Sequence, residues 1–228
     1  MITPKISILT PTRERPVWLR RNIDSVNNTV INHDAVEVVL YVDDDDATLD
    51  EIKGIVAAYQ ARKAQSADSV DVQLVIGARQ SVSKSWNWAA HNAKGDMLLM
   101  GNDDIIYETP GWDKAFGHVD QQFYDGIYCF WMEDQINGAA HCAFPCISRR
   151  WYEELGYFAP TVFQFLYNDT WSFYIACALG RAFFLPEFVN RHLHPAGRDI
   201  HDTNSPHHCE FIKYSKSYAS IDRGKIWK

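Results

Sequence analysis

Hydrophobic positions in the first hundred residues alternate between two periods. Ile6 to Leu9 is a short β-prone run that ends at Thr10-Pro11-Thr12. From Pro16, a residue well tolerated in a first helical turn, Val17, Leu19, Ile23 and Val26 form the apolar stripe of a helix. Val36 to Val42 is a second strand pattern, ending in Asp43-Asp44-Asp45-Asp46. Ile52, Ile55, Val56 and Tyr59 set a helix over Leu49–Lys63. Val70 to Ile76 predicts a third strand, followed by Gly77-Ala78-Arg79-Gln80. Ser83 to Ala93 reads as a helix that stops at Gly95, and Met97 to Met100 as a buried strand.

This alternation predicts parallel βαβ units, with right-handed crossovers, in a Rossmann-type α/β fold whose sheet is flanked by helices. Three of the four strands leave into polar or charged loops on what becomes one edge of the sheet. In open α/β sheets ligands bind at that edge. The second half changes character. Ile127–Trp131 and Ala139–Phe144 read as strands of a mixed sheet, Asp169–Gly180 as a helix and Ala182–Leu185 as a further strand. Most of its many aromatic residues belong in the core, because large apolar side chains are usually there for packing. Their remaining exposed face offers a surface for a homodimer.

The chain has 228 residues, which suits a single domain. Residues 1–106 form a nucleotide-binding half and residues 107–195 an acceptor half. The polar, His-rich segment 196–228 reads as a tail that could close as a lid. Hydrophobic content of 46% supports a full core and excludes disorder. A net charge of −7 argues against a broad nucleic-acid surface. No apolar run reaches the roughly 18 residues of a membrane span, and the N-terminus lacks a signal-peptide pattern. The expectation is a soluble, cytoplasmic protein. The five cysteines are read as reduced, mostly buried thiols, since their spacing matches no zinc pattern.

The candidate chemistry starts at the fourth strand, where the apolar run gives way to Asn102-Asp103-Asp104. Adjacent carboxylates repel unless a cation or water separates them. Hard divalent cations take such oxygen ligands and usually arrive with phosphates. The segment therefore reads as a metal–diphosphate site, against the plainer alternative of a solvated acidic turn. No glycine-rich dinucleotide fingerprint or P-loop is present, which disfavours a nicotinamide enzyme or an ordinary ATPase.

The ordered series of pieces resembles the family-two glycosyltransferases of the GT-A fold. Ile6-Ser7-Ile8-Leu9-Thr10-Pro11-Thr12-Arg13 looks like that family's opening motif. Val39-Leu40-Tyr41-Val42-Asp43-Asp44 resembles its second strand, whose acidic exit receives the nucleobase. Ser83-Lys84-Ser85-Trp86-Asn87 through Gly95-Asp96 resembles the helix before the metal strand. Asn102-Asp103-Asp104 sits where the family carries its DXD motif, with Asn in place of the first acid. Asn168-Asp169-Thr170-Trp171 resembles the segment that supplies the general base. Phe188 through His194 resembles the one that returns a histidine to the diphosphate.

The resemblance implies a metal-dependent, inverting transfer of a sugar from a nucleotide-diphosphate donor, with uracil as the expected base. Thr10, Pro11, Thr12, Arg13, Asp43, Asp44, Arg79, Asn87 and Asp103 are the implied nucleotide-binding residues. Asn102, Asp104, His192 and His194 are the implied ligands of Mn²⁺ or Mg²⁺. Asp169 is the implied base, with Glu133 and Asp134 in reserve. A turn with four carboxylates cannot direct all of them at one uncharged base, so at least two of Asp43 to Asp46 are expected to serve the turn itself. The acceptor is a glycan, a small molecule or a modified nucleobase. Two alternatives stay open: a nucleotidyltransferase, disfavoured because Thr10 to Pro16 has no glycine, and a catalytically silent glycan-binding module.

Overall fold

The first four strands alternate their side chains between two helical layers. The computed structural model describes residues 5–193. In it β1 (Ile6–Thr12), β2 (Val36–Asp43), β3 (Asp71–Gly77) and β4 (Met97–Met100) are parallel, in the order β3-β2-β1-β4. Ile6, Ile8, Val36, Val38, Leu40, Val42, Met97 and Leu99 face one core, with α1 (Pro16–Thr29) and α2 (Leu49–Gln65). Leu9, Val39, Leu98 and Met100 face a second core, with α3 (Val82–Asn92). That two-residue alternation follows from the pleat, and burial on both faces is why these strands read as near-continuous apolar runs.

The register fixes the functional edge. Thr12 lies opposite Val42, and Asp43 opposite Gly77, so the exits of β1, β2 and β3 fall side by side. β4 stops at Met100 opposite Leu9. Gly101 then runs tight against β1, its amide donating to the Leu9 carbonyl at 2.9 Å. A Cβ at Gly101 would stand 2.6 Å from Thr10 Oγ1 and 3.0 Å from the Leu9 carbonyl oxygen. Glycine here allows the backbone approach that delivers Asn102 to the edge.

The sheet continues as β7 (Cys146–Ser148), β6 (Cys129–Glu133), β8 (Ala182–His192) and β5 (Ile105–Tyr107), giving eight strands of mixed direction. β7 is antiparallel to β4 and to β6, whereas β6 and the first part of β8 are parallel. A register shift after Met132 lets the rest of β8 swing across to pair antiparallel with β5. β8 thus ties the second half of the chain to the segment just after Asp104.

Three expectations for the second half need correction. Residues 139–144 do not form a strand: Gly138–Ala140 is a 3₁₀ turn and the strand follows at Cys146–Ser148. The last strand does not end at Leu185 but runs on to His192. β5, α4 (Trp112–Asp120) and α5 (Arg149–Leu155) were not anticipated. A three-residue strand and a seven-residue helix are too short to show a period. α4 did carry one, in Trp112, Phe116 and Val119. α6 (Asn168–Leu179) matches its expected helix and stops at Gly180, which adopts the left-handed conformation (φ 66°).

The aromatic residues divide. Trp112, Phe116, Tyr128 and Phe130 are fully buried, and the rings of Phe116 and Phe130 meet edge to face at 4.5 Å. Tyr124, Trp171 and Tyr174 are exposed. Cys129, Cys142 and Cys146 are buried free thiols and Cys177 is an exposed one. Among the described residues no helix is long and apolar enough to cross a membrane.

Candidate active site

Asp103 is held at the edge through both of its carboxylate oxygens. Thr12 Oγ1 donates to its Oδ2 at 2.7 Å, and Arg15 Nη1, just before α1, donates to its Oδ1 at 2.7 Å. A buried carboxylate needs such partners, because leaving water uncompensated costs several kcal/mol. The loop is also held from the other face, where Trp86 Nε1 on α3 donates to the Gly101 carbonyl at 3.0 Å.

Asp104 is placed differently. β5 begins at the next residue, and its register sets Ile105 opposite His192. The Leu193 amide donates to the Asp104 carbonyl at 2.9 Å. His192 Nε2 lies 3.6 Å from Asp104 Oδ1, an ion-pair separation longer than a hydrogen bond. Among the described residues that buried oxygen accepts no hydrogen bond. Burial pushes the Asp104 carboxyl up, but His192 and then Arg15 outweigh it and hold the group below its ordinary value. The Asn102 carbonyl accepts the Ile105 amide at 3.4 Å. Among the described residues no three His, Cys, Asp or Glu side chains converge to hold an ion. His194 and the expected lid lie outside the described residues.

The acidic exit of β2 is organised by Arg13. Its Nη1 donates to Asp43 Oδ2 at 2.9 Å and also bonds Asp45. Burial lifts the Asp43 carboxyl above its ordinary value in spite of Arg13. The exposed Asp45 is held below its own by the bond from Arg13. Asp46 is buried and serves the turn: Oδ1 accepts the Thr48 amide at 2.7 Å and Oδ2 the Glu14 amide at 2.8 Å. Asp44 is exposed, with its amide bonded to the Gly77 carbonyl at 2.7 Å.

The remaining predicted residues are scattered. Thr10 is fully buried inside β1, below the edge, whereas Pro11 is partly exposed. Arg79 follows β3 and its charge acts on Asp45. Asn87 spends its side chain on the 158–159 turn: Oδ1 accepts the amides of Phe158 and Ala159 at 2.8 and 3.0 Å, and Nδ2 donates to the Ala159 carbonyl at 2.7 Å. Among the described residues no hydrogen bond joins Asn87 to the other predicted residues.

Asp169 opens α6. Its Oδ1 accepts the Thr170 amide at 2.7 Å, and its Oδ2 lies 3.0 Å from His141 Nε2. That bond, stronger in effect than the opposing burial, holds His141 above its ordinary value. Asp134, 3% exposed, closes the turn after β6. Its Oδ1 accepts the amides of Ile136 and Asn137 at 3.0 and 2.7 Å, and its carbonyl accepts the His192 amide at 3.2 Å.

Sequence reading missed Arg15 as the partner of Asp103 and His141 as the partner of Asp169, since both pairings are long-range. The turn at Asp134 did carry a local signal, an Asp followed by Asn137-Gly138.

A family model described as glycosyl transferase family 2 matches residues 7–184. No curated protein matches the sequence. Among solved structures the chain is similar to the mannosyltransferase PcManGT from Pyrobaculum calidifontis in complex with GDP-Man and Mn²⁺. Identity is 16% and the TM-score 0.64, over 86% of this chain and 58% of that one. It is also similar to S. aureus TarS 1-349, at 13% identity and a TM-score of 0.64, over 82% of this chain and 60% of that one. A further match is TarS 1-349 in complex with UDP-GlcNAc, at 11% identity and a TM-score of 0.60, over 88% and 61%. The chain therefore spans about three fifths of the length of these solved chains. At such identities the likeness concerns the fold.

Proposed function

The chain belongs to glycosyl transferase family 2, and from that membership we propose that it moves a sugar from a nucleotide-diphosphate donor to an acceptor hydroxyl in one inverting displacement. The observation that carries this reading is the pairing of β5 with β8, which brings His192 to the acidic exit of β4.

The residues at that exit fit a divalent ion. A buried carboxylate oxygen without a hydrogen bond, facing an imidazole, is a donor pair that suits Mn²⁺ better than Mg²⁺. Asp104 and His192 would hold the ion, and the Asn102 side-chain oxygen could add a neutral ligand. When bound, the ion supplies positive charge against the diphosphate leaving group.

This chain's own residues do the rest. Asp103, locked by Thr12 and Arg15, keeps the loop in place and presents the β1 exit to the nucleoside. Arg13 gathers Asp43 and Asp45, leaving the Asp43 edge for the base or ribose. Arg79, two residues beyond β3, offers a cation for a phosphate. Asp169 supplies the negative charge on the acceptor side, against the proton released as the hydroxyl attacks. The similar structures hold both GDP-Man and UDP-GlcNAc, so the family fold serves more than one base. Uracil is the base we propose here.

A thermal-shift panel of UDP and GDP, each with and without Mn²⁺, tests the reading. A ligand that binds only the folded state raises the melting temperature. A metal-dependent rise with UDP supports the proposal, a rise with GDP alone moves the base, and no rise with either overturns it in favour of a silent glycan-binding module.

A further inference from the structure

In the pair His141–Asp169 the imidazole keeps one ring nitrogen, Nδ1, that no described residue bonds. A carboxylate is an acceptor only, so the 3.0 Å contact with Asp169 Oδ2 places the proton of a neutral imidazole on Nε2. Asp169 Oδ1 already accepts the Thr170 amide at 2.7 Å. Both carboxylate oxygens are therefore engaged, whereas among the described residues no group bonds Nδ1 of His141. The ring is positioned from its flank as well: Phe173 meets it edge to face at 5.6 Å. About a quarter of each side chain remains exposed, 27% for His141 and 28% for Asp169.

The pair is tied to the donor side. The 3₁₀ turn before His141 is anchored where Asp134 Oδ1 accepts the Gly138 amide at 3.3 Å and Trp131 Nε1 donates to the Gly138 carbonyl at 3.0 Å. The Asp134 carbonyl holds the His192 amide. One short turn thus links the imidazole at the acceptor side to the histidine beside Asp104.

We infer that the proton acceptor of this enzyme is a His141–Asp169 dyad, in which His141 Nδ1 takes the proton of the acceptor hydroxyl and Asp169 orients the ring and balances its charge. This rests on the transferase reading above. As the hydroxyl oxygen bonds to the anomeric carbon, its proton passes to Nδ1. The bond from that carbon to the diphosphate oxygen breaks, and its electron pair leaves with the nucleoside diphosphate. The imidazolium that results faces Asp169 from α6 and Asp134 from the turn after β6. The neighbouring Cys142, buried, stays a neutral thiol. A group that titrates near neutrality serves proton transfer at physiological pH better than an isolated carboxylate.

The test separates this assignment from the transferase reading. His141→Gln keeps an N–H for Asp169 but removes the basic nitrogen. Turnover of UDP-N-acetylglucosamine and GDP-mannose is followed by nucleoside diphosphate release with Mn²⁺, alongside nucleotide binding by thermal shift. We expect H141Q to bind nucleotide like the wild type and to lose on the order of 10²–10⁴-fold in kcat. Its residual rate should lose the acid limb that the wild type owes to His141. Unchanged kcat and pH profile in H141Q would leave Asp169 as the base and overturn the dyad. ¹⁵N NMR of the full chain gives a reading that needs no turnover. The dyad predicts an Nε2–H tautomer for His141, with a pKa that falls in Asp169→Asn. An Nδ1–H tautomer overturns it. If the wild type binds no nucleotide at all, the transferase reading fails and the dyad's role with it, while the tautomer measurement still reports the pairing.

Discussion

Arg15 Nη1 and Asp103 Oδ1 are joined at 2.7 Å, and this ion pair divides the labour between two adjacent aspartates. Asp103 has both oxygens bound, by Arg15 and Thr12, whereas among the described residues Asp104 Oδ1 accepts no hydrogen bond and lies 3.6 Å from His192, with Arg15 Nη1 3.7 Å from its Oδ2. The first carboxylate is spent on holding the loop and the second is left for a ligand.

Removing the held carboxylate is expected to cost stability. Asp103→Ala removes the acceptor of the Arg15 Nη1 bond and of the buried Thr12 Oγ1 bond, which by comparison with broken buried pairs costs about 2–4 kcal/mol, discounted for the partial exposure of Arg15. Urea denaturation measures it as a lower midpoint at unchanged slope. A midpoint equal to wild type would show that the pair is not formed in solution.

Asp104→Asn and His192→Ala should behave in the opposite way. Neither removes a hydrogen bond to Asp104 Oδ1, and each loses only the longer charge pairings at 3.6–3.7 Å, so the metal-free melting temperature should fall less than in Asp103→Ala. The Mn²⁺-dependent shift with UDP should fall with at least about a tenfold loss of affinity, or roughly 1.4 kcal/mol. Retention of that shift in both variants would place the ion elsewhere.

Gly101→Ala tests the close approach of the loop to β1. The new Cβ meets Thr10 Oγ1 at 2.6 Å and the backbone oxygen of Leu9 at 3.0 Å. The Thr10 side chain can turn but the backbone cannot, so a loss of about 1–3 kcal/mol is expected, with weakened nucleotide binding as Asn102 to Asp104 are displaced. Calorimetry and the thermal-shift panel report the two effects separately.

Asp134 predicts a pH dependence whose sign can be worked out. Burial raises its carboxyl, but the amides of Asn137, Ile136 and Gly138 and the Asn137 side chain lower it more, so its folded value lies below the ordinary 3.8. A depressed carboxylate contributes stability above its unfolded value and loses it as the pH falls through the folded one. The gap in stability between wild type and Asp134→Ala, about 1–3 kcal/mol near neutrality, should stay level down to about pH 5 and shrink below pH 4. A gap that widens on acidification would contradict the assignment.

The alternation of apolar positions determined the first half of this protein by itself. The parallel strands β1, β2 and β4 are buried on both faces, so their runs of Val, Ile, Leu and Met are unambiguous, and each ends where a polar residue must leave the sheet. The exits at Thr12, Asp43 and Asn102, and the helix that begins at Asn168, were legible for that reason. The second half was not, because its elements are short or irregular: β5 has three residues, β7 has three, and β8 changes partner at a bulge. Which carboxylate is locked and which is open was also beyond the sequence, since Asp103 and Asp104 are chemically identical neighbours. Only the packing of α1 against the loop, and the pairing of Ile105 with His192, distinguishes them. The same holds for His141, whose meaning depends on Asp169 arriving from another element. Local pattern fixes where a chain must be buried, whereas the pairing of distant polar groups is decided only when the sheet closes.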